Sequence, residues 1–335
     1  ALVCFVASLG GVLFGYDTAV ISGTLSFVET YFGLTSIELG WFASSALVGA
    51  IMGAAVAGAL SDRYGRKPIL LVAAFLFFVS AFGSSVPPSF LFLISARLTG
   101  GLGVGMASVL APLYISEVAR PSIRGRLVAL YQLSIVIGIL LAYFSNWMLL
   151  GFSQGNPGAF GGAGIFHKIL VSEVWKGMFG TEMIPSGLFI VLLFLIPESP
   201  RWLVKNGQDD KGFHILSRIS GDSIAKGELE EIKATLNLVK GKVSELLKPG
   251  LRLALIVGVG LSVFGQFTGV NIVVYYGPTI LENAGFILDS ALQFQVAIGV
   301  INLVFTIIAL WKIDSWGRRP FLIWGMSAVF ISLLI

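Results

Sequence analysis

The sequence predicts an all-α membrane protein with a duplicated half, with about eight complete crossings and part of a ninth in this chain. Three observations predict it. Hydrophobic residues fill 56% of the 335 positions and charged residues 12%, with a mean hydropathy of +0.90, far from the composition of soluble domains. Apolar runs of at least about 18 residues, each able to cross about 30 Å of hydrocarbon as a helix, recur along the chain. Two short stretches occur twice: "DRYGRKP" at 62–68 returns as "DSWGRRP" at 314–320, and "FGYDTAV" at 14–20 returns as "FGQFTGV" at 264–270. The two offsets are nearly equal, at about 250 residues, which marks a duplicated half.

The first span, near 1–27, carries Asp17. An ionised carboxylate in hydrocarbon costs several kcal/mol, so such a group faces a wet cavity or a partner. Spans near 38–60 and 69–86 flank a basic loop, and the fourth, 90–112, carries Arg97, the only strongly basic residue well inside that helix. The fifth, 128–150, contains Gln132, and the sixth, 175–196, contains Glu182. A polar stretch of mixed charge follows, with apolar residues at helical spacing from Leu229 onward, which reads as a linker of short amphipathic helices. The seventh span, 252–282, is interrupted by Gly265, Gly269, Gly277 and Pro278. A discontinuous helix is tolerated at membrane depth only where a cavity or neighbouring protein satisfies the freed backbone. The eighth, 291–311, contains Asn302, and a ninth begins near 320 and stops at Ile335. The expected division is 1–196 for a six-helix bundle, 197–251 for the linker and 252–335 for an incomplete second bundle. The chain starts inside an apolar run, and by symmetry roughly three helices are missing, so it is read as a fragment.

Lysine and arginine gather in alternate loops: Arg63, Arg66 and Lys67; Arg120, Arg124 and Arg126; the 197–251 segment; Lys312, Arg318 and Arg319. The positive-inside rule makes these loops and the amino end cytoplasmic. The net charge of +4 thus reflects topology rather than a nucleic-acid partner. Cys4 is the lone cysteine and forms no internal disulfide. No cleavable signal peptide is visible. His167 and His214 fall in opposite loops, with no metal-ligand spacing and no nucleophile beside a base, so neither a metal, a cofactor nor an enzyme is expected.

Seven stretches in order carry a resemblance: "GYDTAVISG" at 15–23, "SDRYGRKP" at 61–68, "ARLTGGLGVG" at 96–105, "SEVARPSIRGR" at 116–126, "PESPRWL" at 197–203, "GQFTGVNIVVYYGP" at 265–278 and "GVINLVFT" at 299–306. The chain resembles the sugar porter family of the major facilitator superfamily, and within it the bacterial xylose:proton symporters. The resemblance implies twelve helices in two bundles around a central sugar site, alternating access, and a monomer in the lipid bilayer of the cell membrane.

Sugars are neutral and rich in hydroxyls, so their sites use amides and phenols that both donate and accept, with aromatic faces against the ring. The family positions that contact sugar match Phe14, Gln132, Gln266, Asn271, Tyr275 and Asn302. One departure is Gly265, where relatives often carry a second glutamine. Any one of these amides alone could equally be interhelical glue. In the proton-coupled relatives the pair that Asp17 and Arg97 match links protonation to conformational change, which the resemblance implies here, and Glu182 is a second intramembrane acid expected to assist. A carboxyl exchanges a proton when its distance from a guanidinium, or its hydration, changes. A static buried ion pair is the other reading. Tyr275 and Tyr276 are implied outer-gate residues. Asp62 with Arg66, Glu117 with Arg124 and Arg126, Glu198 with Arg201, and Asp314 with Arg318 are expected as ion pairs between bundles that hold the inner gate. The expected function is proton-coupled uptake of a small neutral monosaccharide of the xylose class. A facilitative uniporter and a non-transporting sugar receptor remain open.

Overall fold

The computed structural model describes residues 2–119, 123–162, 164–238 and 250–334, apart from the side chains of 2, 236–238 and 314. All regular structure among the described residues is helical. Helix α1 (Leu2–Val20) runs into a 3-10 turn at Ile21–Gly23 and the short α2 (Leu25–Phe32). Four long helices follow: α3 (Ser36–Tyr64), α4 (Arg66–Ser85), α5 (Phe90–Val118) and α6 (Arg124–Gly155). A loop holding the single-turn α7 (Ile165–His167) leads to α8 (Val174–Gly180) and α9 (Met183–Leu195). The polar segment folds as α10 (Pro200–Lys205), α11 (Asp209–Ser220) and α12 (Asp222–Leu238), and the chain continues with α13 (Arg252–Phe267), α14 (Val270–Asn283), α15 (Leu288–Trp316) and α16 (Arg318–Leu334). Among the described residues, eight segments are long and apolar enough to cross a membrane.

Local chemistry sets the helix ends. Thr35 and Glu38 form a reciprocal capping box at the start of α3, with Glu38 Oε2 accepting from the Thr35 backbone N–H at 2.8 Å. Ser89 caps α5 and Ser199 caps α10. The duplicated motif makes the same turn twice: Gly65, at φ 107, separates α3 from α4, and Gly317, at φ 84, separates α15 from α16. A side chain would strain either position.

Small residues set the packing. α3 and α5 approach until a Cβ on Gly53 would lie 2.2 Å from Leu102 O, and one on Gly101 would lie 2.1 Å from Ala46 O. α1 and α6 meet the same way through Gly15 and Gly138. Without a hydrophobic driving force between helices in lipid, such close backbone approach supplies the van der Waals energy of association. Two apolar clusters fill the bundle, one around Leu70, Phe77, Leu110 and Phe189 toward the basic end, the other around Phe42, Tyr143, Trp175 and Tyr275 toward the opposite end. α13, α15 and α16 leave Phe264, Phe305, Trp311 and Trp324 exposed.

The expected interruption of the seventh span is smaller than the sequence suggests. Only Thr268–Gly269 breaks it, with Gly269 at φ 77; Gly265 lies within α13, and Gly277 and Pro278 lie within α14. Glycine costs a helix only about 1 kcal/mol, and a proline removes a single donor, so packing overrides both. The first span is also discontinuous, after Val20. α11 and α12 pack side by side. The Asp209 carboxylate, 2.6 Å from Lys233 Nζ, holds that ammonium above its usual range. Both side chains are largely solvated, so the pair contributes little. Residues 239–249 of the expected linker lie outside the described residues.

Candidate functional site

Asp17 comes from α1 and Arg97 from α5, and both are about as buried as side chains can be, at 1% exposure each. Arg97 Nη1 donates to Asp17 Oδ1 at 2.5 Å, and Nη2 donates to the Asp17 backbone carbonyl at 3.1 Å. The guanidinium carbon also lies 5.4 Å from the centre of the Phe179 ring on α8, a cation–π contact that lysine's compact ammonium would make differently. Gly100 keeps the site open, because a Cβ there would come 2.4 Å from Ser80 Oγ and 3.4 Å from Asp17 Oδ1.

Around the pair, several buried polar atoms have no hydrogen-bond partner among the described residues: Arg97 Nε, Ser80 Oγ, Ser84 Oγ and both carboxyl oxygens of Glu182. Glu182 is fully buried and feels the charges of Asp17 and Arg97. α4 and α9 run antiparallel here, with Gly180 against Ser85 and Gly187 against Phe78. That register places Glu182 opposite residue 83 of α4, one position from Ser84.

A cavity of about 10 Å³ adjoins the ion pair, the size that admits a single water. It is lined by Phe14, Asp17, Thr18, Arg97 and, from α14, Tyr275. Tyr275 is buried beside helices of the first half, and Tyr276 is half-buried next to it. The structure therefore brings Phe14, Asp17, Arg97 and Tyr275 together. Gln266 and Asn271 pair across the Gly269 break, with Asn271 Nδ2 donating to Gln266 Oε1 at 2.8 Å. Gln132 on α6 and Asn302 on α15 are exposed, and neither lines the cavity.

At the basic end the charges form one network, which contains the expected Asp62–Arg66 pair and otherwise uses other partners than expected. Arg66 donates through Nε and Nη2 to the two oxygens of Glu117, each at 3.0 Å, and through Nη1 to Asp62 at 2.9 Å. Glu198 accepts the backbone N–H groups of Arg66 and Lys67 at 3.0 and 3.2 Å. The expected pairing of Glu117 with Arg124 and Arg126, and of Glu198 with Arg201, is thus corrected. A bidentate guanidinium is the better partner for Glu117, and the first N–H groups of α4 are unfilled donors that attract a carboxylate. Arg124, Arg201 and Arg318 have no ion pair among the described residues, and the side chain of Asp314 lies outside them. Every described ion pair joins residues before 240, so none bridges the two halves. Arg66→Lys is expected to lower stability by about 2 kcal/mol, because lysine cannot reproduce the fork to Glu117 together with the Asp62 contact. Thermal unfolding should show this loss, while Arg201→Lys melts with the parent.

Several polar groups of the interior escaped the sequence reading. Gln295 on α15 is fully buried, with its amide against α14. Ser26 Oγ donates to Glu282 Oε2 at 2.6 Å across the two halves, at the end opposite the basic one. Tyr16 Oη and Thr181 Oγ1 lie 2.7 Å apart. The available signal was the polar residue inside an apolar span, which Gln295 shares with Gln132 and Asn302.

Comparisons with known proteins bear on this arrangement. A family profile described as "Sugar (and other) transporter" matches residues 3–335. An arabinose-proton symporter of Bacillus subtilis (strain 168) is 40% identical over 335 residues, spanning 100% of this chain and 70% of that protein. A D-xylose-proton symporter of Escherichia coli (strain K12) is 38% identical over 360 residues, spanning 99% and 70%. Among solved structures, the xylose transporter XylE from E. coli in a partially occluded inward-open conformation matches with a TM-score of 0.80 at 37% identity, covering 95% of this chain and 74% of that one.

Proposed function

This chain belongs to the sugar transporter family of the major facilitator superfamily, a family of multi-pass membrane proteins, and on that premise we propose that it carries a small neutral sugar of the xylose class by proton-coupled alternating access. The observation that carries the reading is the Asp17–Arg97 pair, buried beside a cavity that Tyr275 of the second half also lines. An intramembrane acid against a guanidinium is an expensive arrangement, and the partnerless oxygens of Glu182 and hydroxyls of Ser80 and Ser84 give a proton or water further sites there.

In this reading residues 1–196 form one moving unit, 252–335 belong to the second, and 197–251 link them at the cytoplasmic face, where the amino end also lies. Phe14 and Tyr275 flank the passage at the ion pair. Gln132, Gln266, Asn271 and Asn302 supply sugar hydrogen bonds when the crevice is open to the cytoplasm, and Tyr275 with Tyr276 closes the outer side. The Arg66–Glu117–Glu198 network stiffens the inner end of the first unit, and the carrier works as a monomer in the lipid bilayer. Contacts support an outward-closed state: α14 packs on the 3-10 turn and on α2, and Ser26 holds Glu282.

Uptake of radiolabelled xylose and glucose tests the proposal, in energised vesicles carrying the protein expressed from its complete gene. Accumulation that collapses on adding an uncoupler is the expected result. Uptake that only equilibrates, uncoupler or not, would make the protein a facilitative carrier. Sugar binding without flux would make it a receptor.

A further inference from the structure

Pro278 lies inside α14. It has no N–H, so the carbonyl four residues earlier, Val274 O, has no intrahelical donor. An unsatisfied carbonyl at membrane depth costs several kcal/mol, and here two side chains approach it. Tyr143 Oη of α6 donates to Val274 O at 3.3 Å. Gln295 Nε2 of α15 donates to Val273 O at 3.0 Å and reaches Val274 O at 3.4 Å. The two come from different halves of the protein. Gln295 is fully buried, and its amide rests on Gly277, where a Cβ would come 2.2 Å from Oε1. Any side chain at 277 would displace it.

We infer that the carbonyl orphaned by Pro278 is a latch with two interchangeable keepers: Tyr143 holds it while the outer side is closed, and Gln295 keeps it satisfied after α14 leaves α6. The inference rests on the alternating-access reading above. α14 packs on α15 and both belong to the second half, so in the alternating-access reading Gln295 moves with the carbonyl and its bond persists in both states. Tyr143 stays with the first half and its bond exists only in the closed state. Gln295 is thus a positioning residue for the outer gate, acting through the backbone just before Tyr275. Its loss penalises the open state, where no other keeper remains, more than the closed one. Loss of the Tyr143 hydroxyl does the reverse.

A thiol reporter reads the gate. Ile21 is 1% exposed in the 3-10 turn beneath α14, so Ile21→Cys in a Cys4→Ser background reacts with an impermeant maleimide added outside only when α14 swings away. Tyr143→Phe is expected to raise the labelling rate roughly 2–10-fold, the equivalent of one hydrogen bond, and Gln295→Leu to lower it by a similar factor. Pro278→Ala restores the intrahelical N–H, and both effects should then vanish, which a general loss of packing would not produce. Labelling of Tyr143→Phe at the parent's rate, or an equal Tyr143→Phe effect with and without Pro278→Ala, overturns the latch. If Gln295→Leu does not fold, the Tyr143→Phe comparison in the two backgrounds decides alone. Sugar uptake by the parent, measured in parallel, separates the outcomes: a parent without flux defeats the carrier reading, while the labelling contrast still decides the latch.

Discussion

Asp17→Asn is expected to abolish sugar accumulation while leaving exchange of sugar across the membrane intact. Asparagine keeps the size of the aspartate and an oxygen for Arg97 Nη1, and the bond from Nη2 to the backbone carbonyl at 3.1 Å is untouched. What it removes is the group that can exchange a proton. Without it, sugar movement has no thermodynamic tie to the proton gradient, and the internal concentration rises only to the external one. The Arg97 cation also loses its counter-charge in a site with 1% exposure, which lowers stability by about 3 kcal/mol. Flux is therefore compared per folded carrier, with vesicles energised and then uncoupled. Accumulation equal to the parent's would make Asp17 one half of a static ion pair and would remove the proton-coupling role.

Gly138→Ala should be among the most damaging single methyls in the bundle. A Cβ there would sit 2.1 Å from Val12 O of α1, and the reciprocal position, Gly15, faces Ile135 O at 1.9 Å. Both obstacles are backbone, so no rotamer change relieves them, and α1 must move away from α6. Overpacking of this kind costs about 3 kcal/mol. Because Gly15 lies two residues before Asp17, the displacement also pulls the carboxylate from Arg97, so activity falls with stability. Gly151→Ala lies on the same helix with nothing within 4 Å, and its effect should stay within about 0.5 kcal/mol. Thermal melting of the two variants in detergent checks this; equal melting points would refute the close-packing account of the α1–α6 interface.

Much of the architecture was legible before any coordinates. Hydrophobic runs reproduce the crossings because a helix must carry its own backbone hydrogen bonds through lipid, which ties span length directly to sequence. The repeated "GRKP" and "GRRP" turns are legible for a similar reason: a left-handed glycine between two helices, at Gly65 and again at Gly317, is a local requirement. Asp17 and Arg97 stood out because charge in an apolar span is expensive wherever it occurs.

The sequence by itself determined the number and order of the crossings, the alternation of basic loops, the duplicated half and the presence of an intramembrane acid with one candidate partner. Only the tertiary structure decided which charges meet. Glu117 takes Arg66 rather than Arg124, and Glu198 takes the first N–H groups of α4 rather than Arg201, because these choices depend on distances between helices remote in sequence. It also decided that Gln266 and Asn271 bond to each other, and that Gln295 lies against a carbonyl freed by Pro278. Periodicity says what a residue must avoid; the partner it finds depends on how closely glycine-lined helices approach, and that distance is a property of the packed bundle.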